Sequence, residues 1–397
     1  MDRTISRRSA LGVLGALTAL RATRRDAIAQ GDEVVRVGMT SAFSGPAQAL
    51  GVGMRDGMMA QLEILNARGG VRGRRIELAH LDDGYEPARA ARNMRALIDE
   101  RRVFAVLGNA GTPTAAVTVP IANEKRVPLF GAFTGAGLLR RTPPDRYVIN
   151  YRASYAQETA AMVRGLVTDL GVAPEHIGFF TQNDAYGDSG YNGAVAALEA
   201  LGYRDARLLP HGRYSRNTLH VESALARLID PCVDVRAVIM VGAYAPCARF
   251  IQLARQHGLR AHFLNVSFVG SEALATALGR DGEAVVVTQV VPHPDASLPA
   301  CEMYRSAVPP AARTFTSLEG FLVMRAFAAG LEAAAPGATS EQWIDTLERG
   351  APLDLGLGVT HRLSPARHQL SDAVWPTVLR DGRFQPLLRW TDLGAAR

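Results

Sequence analysis

The sequence of 397 residues is 48% hydrophobic and 21% charged, which excludes a disordered or fibrous chain, and its length exceeds what one compact core holds, so two lobes are expected. Of the formal charge of +6, +4 sits at the N-terminus, where six arginines face two aspartates in the first 29 residues; the remainder carries 38 basic and 36 acidic residues, or +2. Lys125 is the only lysine and no basic stripe is interleaved with aromatics, so no nucleic-acid partner is expected.

The chain opens with the three parts of an export signal. Arg7-Arg8 precede an apolar run of 11 residues, Ala10 to Leu20, too short for the ~20 residues that span a bilayer. Ala27-Ile28-Ala29 then offers small residues for cleavage after Ala29. Ser6-Arg7-Arg8 with Leu11 resembles a twin-arginine signal; a general secretory signal with a chance arginine pair is the alternative. No cysteine marks a lipid anchor, and no later run is apolar for ~18 residues, so a soluble periplasmic protein is expected.

From residue 34 strands and helices alternate. Val34–Thr40 reads as a strand and Leu50–Ala67, with apolar spacing near 3.6, as a helix. A strand over Arg75–Leu81 and a helix over Glu86–Arg101 follow, with Pro87 in the first turn where proline is tolerated. Val103–Leu107, Thr112–Lys125 and Val127–Gly131 read as strand, helix, strand. The pattern resumes with a helix over Tyr155–Leu170, a strand over Ile177–Thr181 and a helix over Gly187–Leu201. Next come a strand over Arg207–Pro210, a helix over Thr218–Ile229, a strand over Val235–Gly242 and a helix over Pro246–His257. His262–Val266 and Ala284–Val291 are strands; Pro299–Val308, Leu318–Ala334 and Ser340–Arg349 are helices. Asp381-Gly382 turns a final hairpin between Ala373–Leu379 and Phe384–Trp390. This alternation, with Val/Ile/Phe-rich strands, predicts an α/β protein of parallel sheets covered on both faces.

Tests for catalysis fail. There is no G-x-S-x-G, H-E-x-x-H or P-loop pattern, and Gly51-Val52-Gly53 with Gly57 lies inside a helix rather than opening one. The histidines lack ligand spacing; His293, His361 and His368 fall in loops and read as solvated. Asp82-Asp83 reads as a turn with a helix cap before Glu86. Cys232 and Cys247 flank a strand that rises ~3.3 Å per residue, so they lie beyond the ~7 Å reach of a disulfide. With Cys301, all three read as free and buried. No metal, cofactor or enzymatic activity is expected.

The loops at the carboxyl ends of the strands stand out, because ligands of open α/β sheets bind there. Gly108-Asn109-Ala110-Gly111-Thr112-Pro113-Thr114 and Gly131-Ala132-Phe133-Thr134-Gly135 combine glycines, hydroxyls and a helix N-terminus, a neutral cradle for a carboxylate. From the second half, Tyr186 and Tyr244 each follow a strand end, where a ring can cover an apolar solute.

These loops resemble those of the type 1 periplasmic solute-binding proteins of the branched-chain amino-acid class, which serve ABC importers. The resemblance runs from Val34 to Phe384 and rests on an ordered set. Val37-Gly38-Met39 leads to Ser44-Gly45-Pro46, and Asn66-Ala67-Arg68-Gly69-Gly70-Val71-Arg72-Gly73-Arg74 follows. Asp82-Asp83 with Pro87, Val127-Pro128-Leu129, Asn183-Asp184-Ala185-Tyr186-Gly187 and Ser317-Leu318-Glu319-Gly320 complete it. It implies two Rossmann-like lobes joined by three crossings and closing as a hinge. Residues 33–151 with 291–355 would form lobe 1, and 152–290 with 370–390 lobe 2. It also implies a carboxylate site at Thr112 and Ala132, Phe133 and Thr134. Second-lobe contacts would come from Tyr186 and Tyr244, with Tyr155 a further candidate. Amino-acid binders of this class place an acid for the ligand ammonium where Phe268 stands here, and Glu272 falls on the next helix. A buried ammonium without a counter-charge is costly, so the expected solute is an aromatic or apolar carboxylate, or an amide. The implied partners are a small-molecule solute and ABC permease subunits, met as a monomer. A periplasmic sensor is the alternative reading, a structural envelope protein or a nucleotide-dependent enzyme more remote ones.

Overall fold

The computed structural model describes residues 34–394, so the export signal read at 1–29 lies outside the described residues. Two parallel sheets organise the chain, each begun by an apolar strand that feeds a helix. In the first, β1 (Val35–Ser41), β2 (Ile76–Asp82), β3 (Ala105–Leu107), β4 (Leu129–Phe130) and β5 (Val148–Ile149) lie in the order β2-β1-β3-β4-β5. All neighbours are parallel, with Val37 opposite both Leu78 and Ala105. Between them run α1 (Gln48–Ala67), α2 (Pro87–Arg95) and α3 (Thr112–Lys125).

The second sheet repeats the plan with β6 (Ile177–Gln182), β7 (His211–Tyr214), β8 (Ala237–Val241), β9 (His262–Asn265) and β10 (Val286–Gln289). Its order is β7-β6-β8-β9-β10, extended by the antiparallel strands β13 (Trp375–Arg380) and β14 (Arg383–Pro386). Its helices are α4 (Tyr155–Arg164), α5 (Ala185–Ala200), α6 (Glu222–Ala226), α7 (Tyr244–Gln256) and α8 (Ser271–Leu278). The strand order reverses between β1 and β3 in one sheet and between β6 and β8 in the other. These are the two switch points where doubly wound sheets take ligands.

After β10 the chain returns to the first sheet as α9 (Pro299–Ala307), α10 (Phe315–Ala333) and α11 (Ser340–Glu348), followed by a small ribbon of β11 (Leu353–Asp354) and β12 (Thr360–His361). Phe327 of α10 and Trp343 of α11 pack on Phe104 and Phe130 at the sheet, with ring centroids 5.6 to 6.1 Å apart. The glycines set inside α1 have a packing role. A Cβ on Gly57 would lie 1.7 Å from the Ser317 carbonyl, and one on Gly320 2.1 Å from that of Met54, so α1 and α10 touch backbone to backbone.

The chain passes between the sheets after β5, after β10 and before β13. The first and third passages run side by side: Asn150 N–H donates to the His368 carbonyl, Leu370 N–H to that of Asn150 and Ser371 N–H to that of Tyr151.

Several expectations need correction. The strand placed at Arg207–Pro210 is a 3₁₀ turn, Ala206–Leu208, and the strand is β7 beyond it; Pro210 has no N–H for the ladder and only offers its carbonyl to Phe179. The helix placed at Thr218–Ile229 is the single turn and a half of α6. The strand β5 escaped detection because two residues carry no periodicity. His361 and His368 are buried, not solvated; His368 bonds the Val148 carbonyl and Glu348, tying the third passage to the first lobe. Cys232 is exposed, while Cys247 and Cys301 are buried and all three are free. Asp82 and Asp83 make a turn but no helix cap: α2 is preceded by Glu86, which has no side-chain cap bond.

Candidate functional site

The loops that end β3 and β4 face those that end β6 and β9. Gly111, at φ 101°, turns the chain from β3 into α3 and puts Thr112 in its first turn. The Thr112 hydroxyl lies 2.7 Å from that of Thr134 in the loop after β4. Phe133 N–H donates to the Asn109 carbonyl and Gly111 N–H to that of Phe133, which lock the two loops together. Ala132, Phe133 and Thr134 are all buried.

Opposite stand rings from the second lobe. Asp184 accepts from Tyr186 N–H and starts α5, which turns the Tyr186 ring inward. The segment after β9 tightens into a 3₁₀ turn, Ser267–Val269, that buries Phe268. Tyr155 is the first residue of α4, set by the Ser154–Gln157 capping box, and its N–H donates to the Gly135 carbonyl.

Five side chains close a ring. Phe133 and Phe268 are 5.2 Å apart, Phe268 and Tyr186 4.8 Å, and Tyr186 and Tyr155 5.2 Å. The Arg152 guanidinium completes it, 6.0 Å from the Tyr155 ring and 4.8 Å from that of Phe133. Tyr85 joins from outside at 6.0 Å from Phe268, and its hydroxyl accepts from Gln182 across the lobes. Tyr186 spends its hydroxyl on the Gly242 carbonyl. The Tyr155 hydroxyl approaches Thr134 without completing a hydrogen bond, and burial pushes its phenol up to about 12, so it stays a neutral donor.

No local pattern in the sequence points to the charges behind this ring. Arg152, in the first passage between lobes, lies 3.6 Å from Glu158 of α4 and 3.6 Å from Glu319 of α10, and all three are buried. Glu158 is fully engaged, accepting from Ser267 N–H, the Ser267 hydroxyl and the Thr288 hydroxyl. Arg152 also donates to the Ser267 hydroxyl, but its Nε and Nη1, and Glu319 Oε1, make no hydrogen bond. Burial raises both carboxyls against the pull of Arg152, Glu319 to about 7. Ser317-Leu318-Glu319-Gly320 is part of the family resemblance, but helical spacing alone does not say that Glu319 points at Arg152.

The structure therefore brings Thr112, Ala132, Phe133, Thr134, Tyr155, Tyr186 and Phe268 to one place and leaves Tyr244 apart. Tyr244 is half-buried, its hydroxyl at the Ala49 backbone of α1. Beside it a separate interlobe cleft of about 230 Å³ is lined by Leu50, Gly53, Gly270 and Glu272, among others. Glu272 accepts from Phe315 N–H at the start of α10 and is pushed up to about 7 by burial.

Two doubly wound lobes that meet over an aromatic ring at their switch points define a two-lobed ligand-binding protein. A family model described as periplasmic binding protein matches residues 34–383, and the chain belongs to that family, in its branched-chain amino-acid class. The structure of a possible leucine/isoleucine/valine-binding protein from Rhodopirellula baltica SH 1 is 44% identical, with a TM-score of 0.87 over 92% of this chain and 99% of that one. A substrate-binding periplasmic protein from Ralstonia solanacearum is 26% identical, with a TM-score of 0.80 over 89% of this chain and all of that one. Among curated relatives, Leu/Ile/Val-binding protein homolog 7 of Brucella abortus is 26% identical over 235 residues, 57% of this chain. The match spans 56% of that relative's length. The relatives and the fold are those of substrate-binding proteins, not of enzymes. Among the described residues no helix is long and apolar enough to cross a membrane.

Proposed function

We propose that the protein is the periplasmic solute-binding component of an ABC importer, exported by its N-terminal signal along the twin-arginine route, and that it captures a small carboxylate-bearing or amide solute with an apolar body. The ring formed by Phe133, Phe268, Tyr186, Tyr155 and Arg152 carries this reading. It is contributed by both lobes and by the passage between them. Opening the lobes about residues 150–151 and 368–371 would part Phe133 from Phe268 and admit a solute. A solute touching both halves then favours closure, because it binds the closed state better than the open one. The Thr112 and Thr134 hydroxyls and the first turn of α3 would receive its carboxylate or amide, and the rings its body. The closed monomer would dock to permease subunits. Glu272, engaged at the start of α10, is not offered to an ammonium in the ring, which favours solutes without one.

Thermal unfolding of the mature protein against amino acids, aromatic acids, aliphatic acids, amides and sugars tests this. A solute at 100 times its Kd adds about 2.7 kcal/mol of stability. A shift with acids or amides of apolar body supports the reading; a shift with leucine equal to that with its deaminated analogue, or none with any compound, refutes it.

A further inference from the structure

Resting on that reading, we infer that Arg152 is the ionic anchor of an anionic solute, and that Glu319 gives up its charge by taking a proton when the anion enters.

Threonine hydroxyls and a helix end make a neutral cradle; they do not balance a carboxylate taken out of water. Arg152 is the one cation in the ring. It forms part of the wall, with its guanidinium against Phe133 and Tyr155, and two of its nitrogens make no hydrogen bond although the side chain is fully buried. A buried arginine with donors to spare, next to the unspent hydroxyl of Tyr155, suits a carboxylate, which takes parallel N–H donors. The one arginine donor that is spent goes to Ser267, which also holds Glu158. Glu158 and Arg152 therefore form a settled pair fixed to the second lobe.

Glu319 is the unsettled member. It comes from the first lobe, and its Oε1 faces Arg152 Nε at 3.6 Å without a hydrogen bond. The groups that face it are Arg152, Glu158, Arg140 and the phenol of Tyr151. Arg140 is occupied with the carbonyls of Ala136 and Arg152 and the side chain of Gln369. Above pH 7, two arginines and two glutamates balance before the solute arrives. A third anion leaves one negative charge too many in a buried site, and the carboxyl with no hydrogen bond to hold its charge is the one that protonates. Its carboxyl already sits near neutrality, so the proton comes from solvent at little cost.

Isothermal titration of the exported protein with phenylacetate and with its neutral isostere phenylacetamide, in buffers of different ionisation enthalpy, tests both parts. At pH 8 phenylacetate should bind with uptake approaching one proton, and its affinity should fall by up to about tenfold per pH unit above pH 7. Arg152→Gln should weaken phenylacetate by about 10- to 150-fold, the worth of a hydrogen bond to a charged group, and should weaken phenylacetamide several-fold less. Glu319→Gln should abolish proton uptake while keeping phenylacetate binding at pH 6. The proton count stands by itself if Arg152→Gln does not fold. Equal losses for acid and amide in Arg152→Gln, proton uptake persisting in Glu319→Gln, or binding of other solutes but not of phenylacetate would overturn the inference and leave solute capture intact. A protein silent to every solute would overturn both.

Discussion

Two charged clusters join the lobes, and they differ in almost everything except composition. Arg152, Glu158 and Glu319 lie in the middle with side-chain exposures of 0, 0 and 3%. Arg216, Glu86 and Asp184 lie at the rim with exposures of 25, 44 and 19%. The rim has the better geometry: Arg216 donates to Glu86 at 2.9 Å and Asn217 to the same carboxylate at 2.8 Å. The central pairs sit at 3.6 Å, with donors left over. Yet water screens the rim, whereas breaking one partner of a buried pair strands a charge in a medium that cannot solvate it. Hydrogen-bond length is therefore a poor guide to which cluster matters. Burial decides that, and the loose fit at the centre is what the proposed anchoring of an anion rests on.

The largest effect that tests this contrast is the removal of the central cation. Arg152→Met should cost about 3–5 kcal/mol of stability by leaving Glu158 and Glu319 unpaired, read by chemical denaturation. The triple variant with Glu158→Gln and Glu319→Gln should recover much of it, since no stranded charge remains. A cost near that of a surface pair would erase the distinction between the clusters.

Next in size is a pH effect. The Glu319 carboxyl is raised from 4.5 to about 7, so the fold favours its protonated form. Its contribution is complete below pH 4.5 and is lost as pH rises through about 7, roughly 3 kcal/mol in all at 1.36 kcal/mol per unit. Asp83, raised to about 6 by burial, and Glu272 act in the same window, so the observable is the difference between the protein and Glu319→Gln. The two stability curves should diverge between pH 5 and 7 and run parallel above it. Parallel curves throughout would mean that Glu319 keeps an ordinary carboxyl and that the centre titrates like the rim.

How much of this was legible follows the same divide between local and long-range information. Helix α3 runs over Thr112–Lys125 as its spacing and Gly111 predict, and the loops ending β3, β4 and β6 come from strand ends visible in the sequence. Phe133 and Tyr186 could be singled out because each follows such an end, and Phe268 because the resemblance places an acid at its position. Arg152 could not: it sits in a passage with no period, and its partners lie 6 and 167 residues further on. Nothing local says that Glu319, one residue in an apolar helix, faces a charge. Tyr244 also follows a strand end, but it opens α7 whereas Tyr186 is the second residue of α5, and its hydroxyl lies at the Ala49 backbone of α1 rather than in the ring.

A smaller effect is expected where the cradle is neutral. Thr134→Val keeps the shape of the side chain and removes the hydroxyl that lies 2.7 Å from Thr112. If a carboxylate rests there, its affinity should fall by about 1.5–3 kcal/mol, measured by titration, and the fold should lose about 1–3 kcal/mol because the buried Thr112 hydroxyl and the Ala136 N–H both lose a partner. An unchanged Kd would take Thr134 out of the site and leave the anion to Arg152 alone.

The smallest effect belongs to the rim. Arg216→Ala breaks the contacts to Glu86 and Asp184 and uncovers the face of Tyr85, 5.8 Å below the guanidinium. Each partner is wet enough to be solvated once released, so the loss should be about 0.2–1 kcal/mol. In 1 M salt, where the screening length falls to about 3 Å, the variant and the parent should become nearly indistinguishable in thermal unfolding. The ring over Tyr85 gives the test its edge, because lost packing does not respond to salt. A residual cost that survives 1 M salt would belong to Tyr85 and its bond to Gln182, and would extend the aromatic ring outward to the rim. A cost of several kcal/mol at any salt would mean that the rim, not the centre, holds the lobes together.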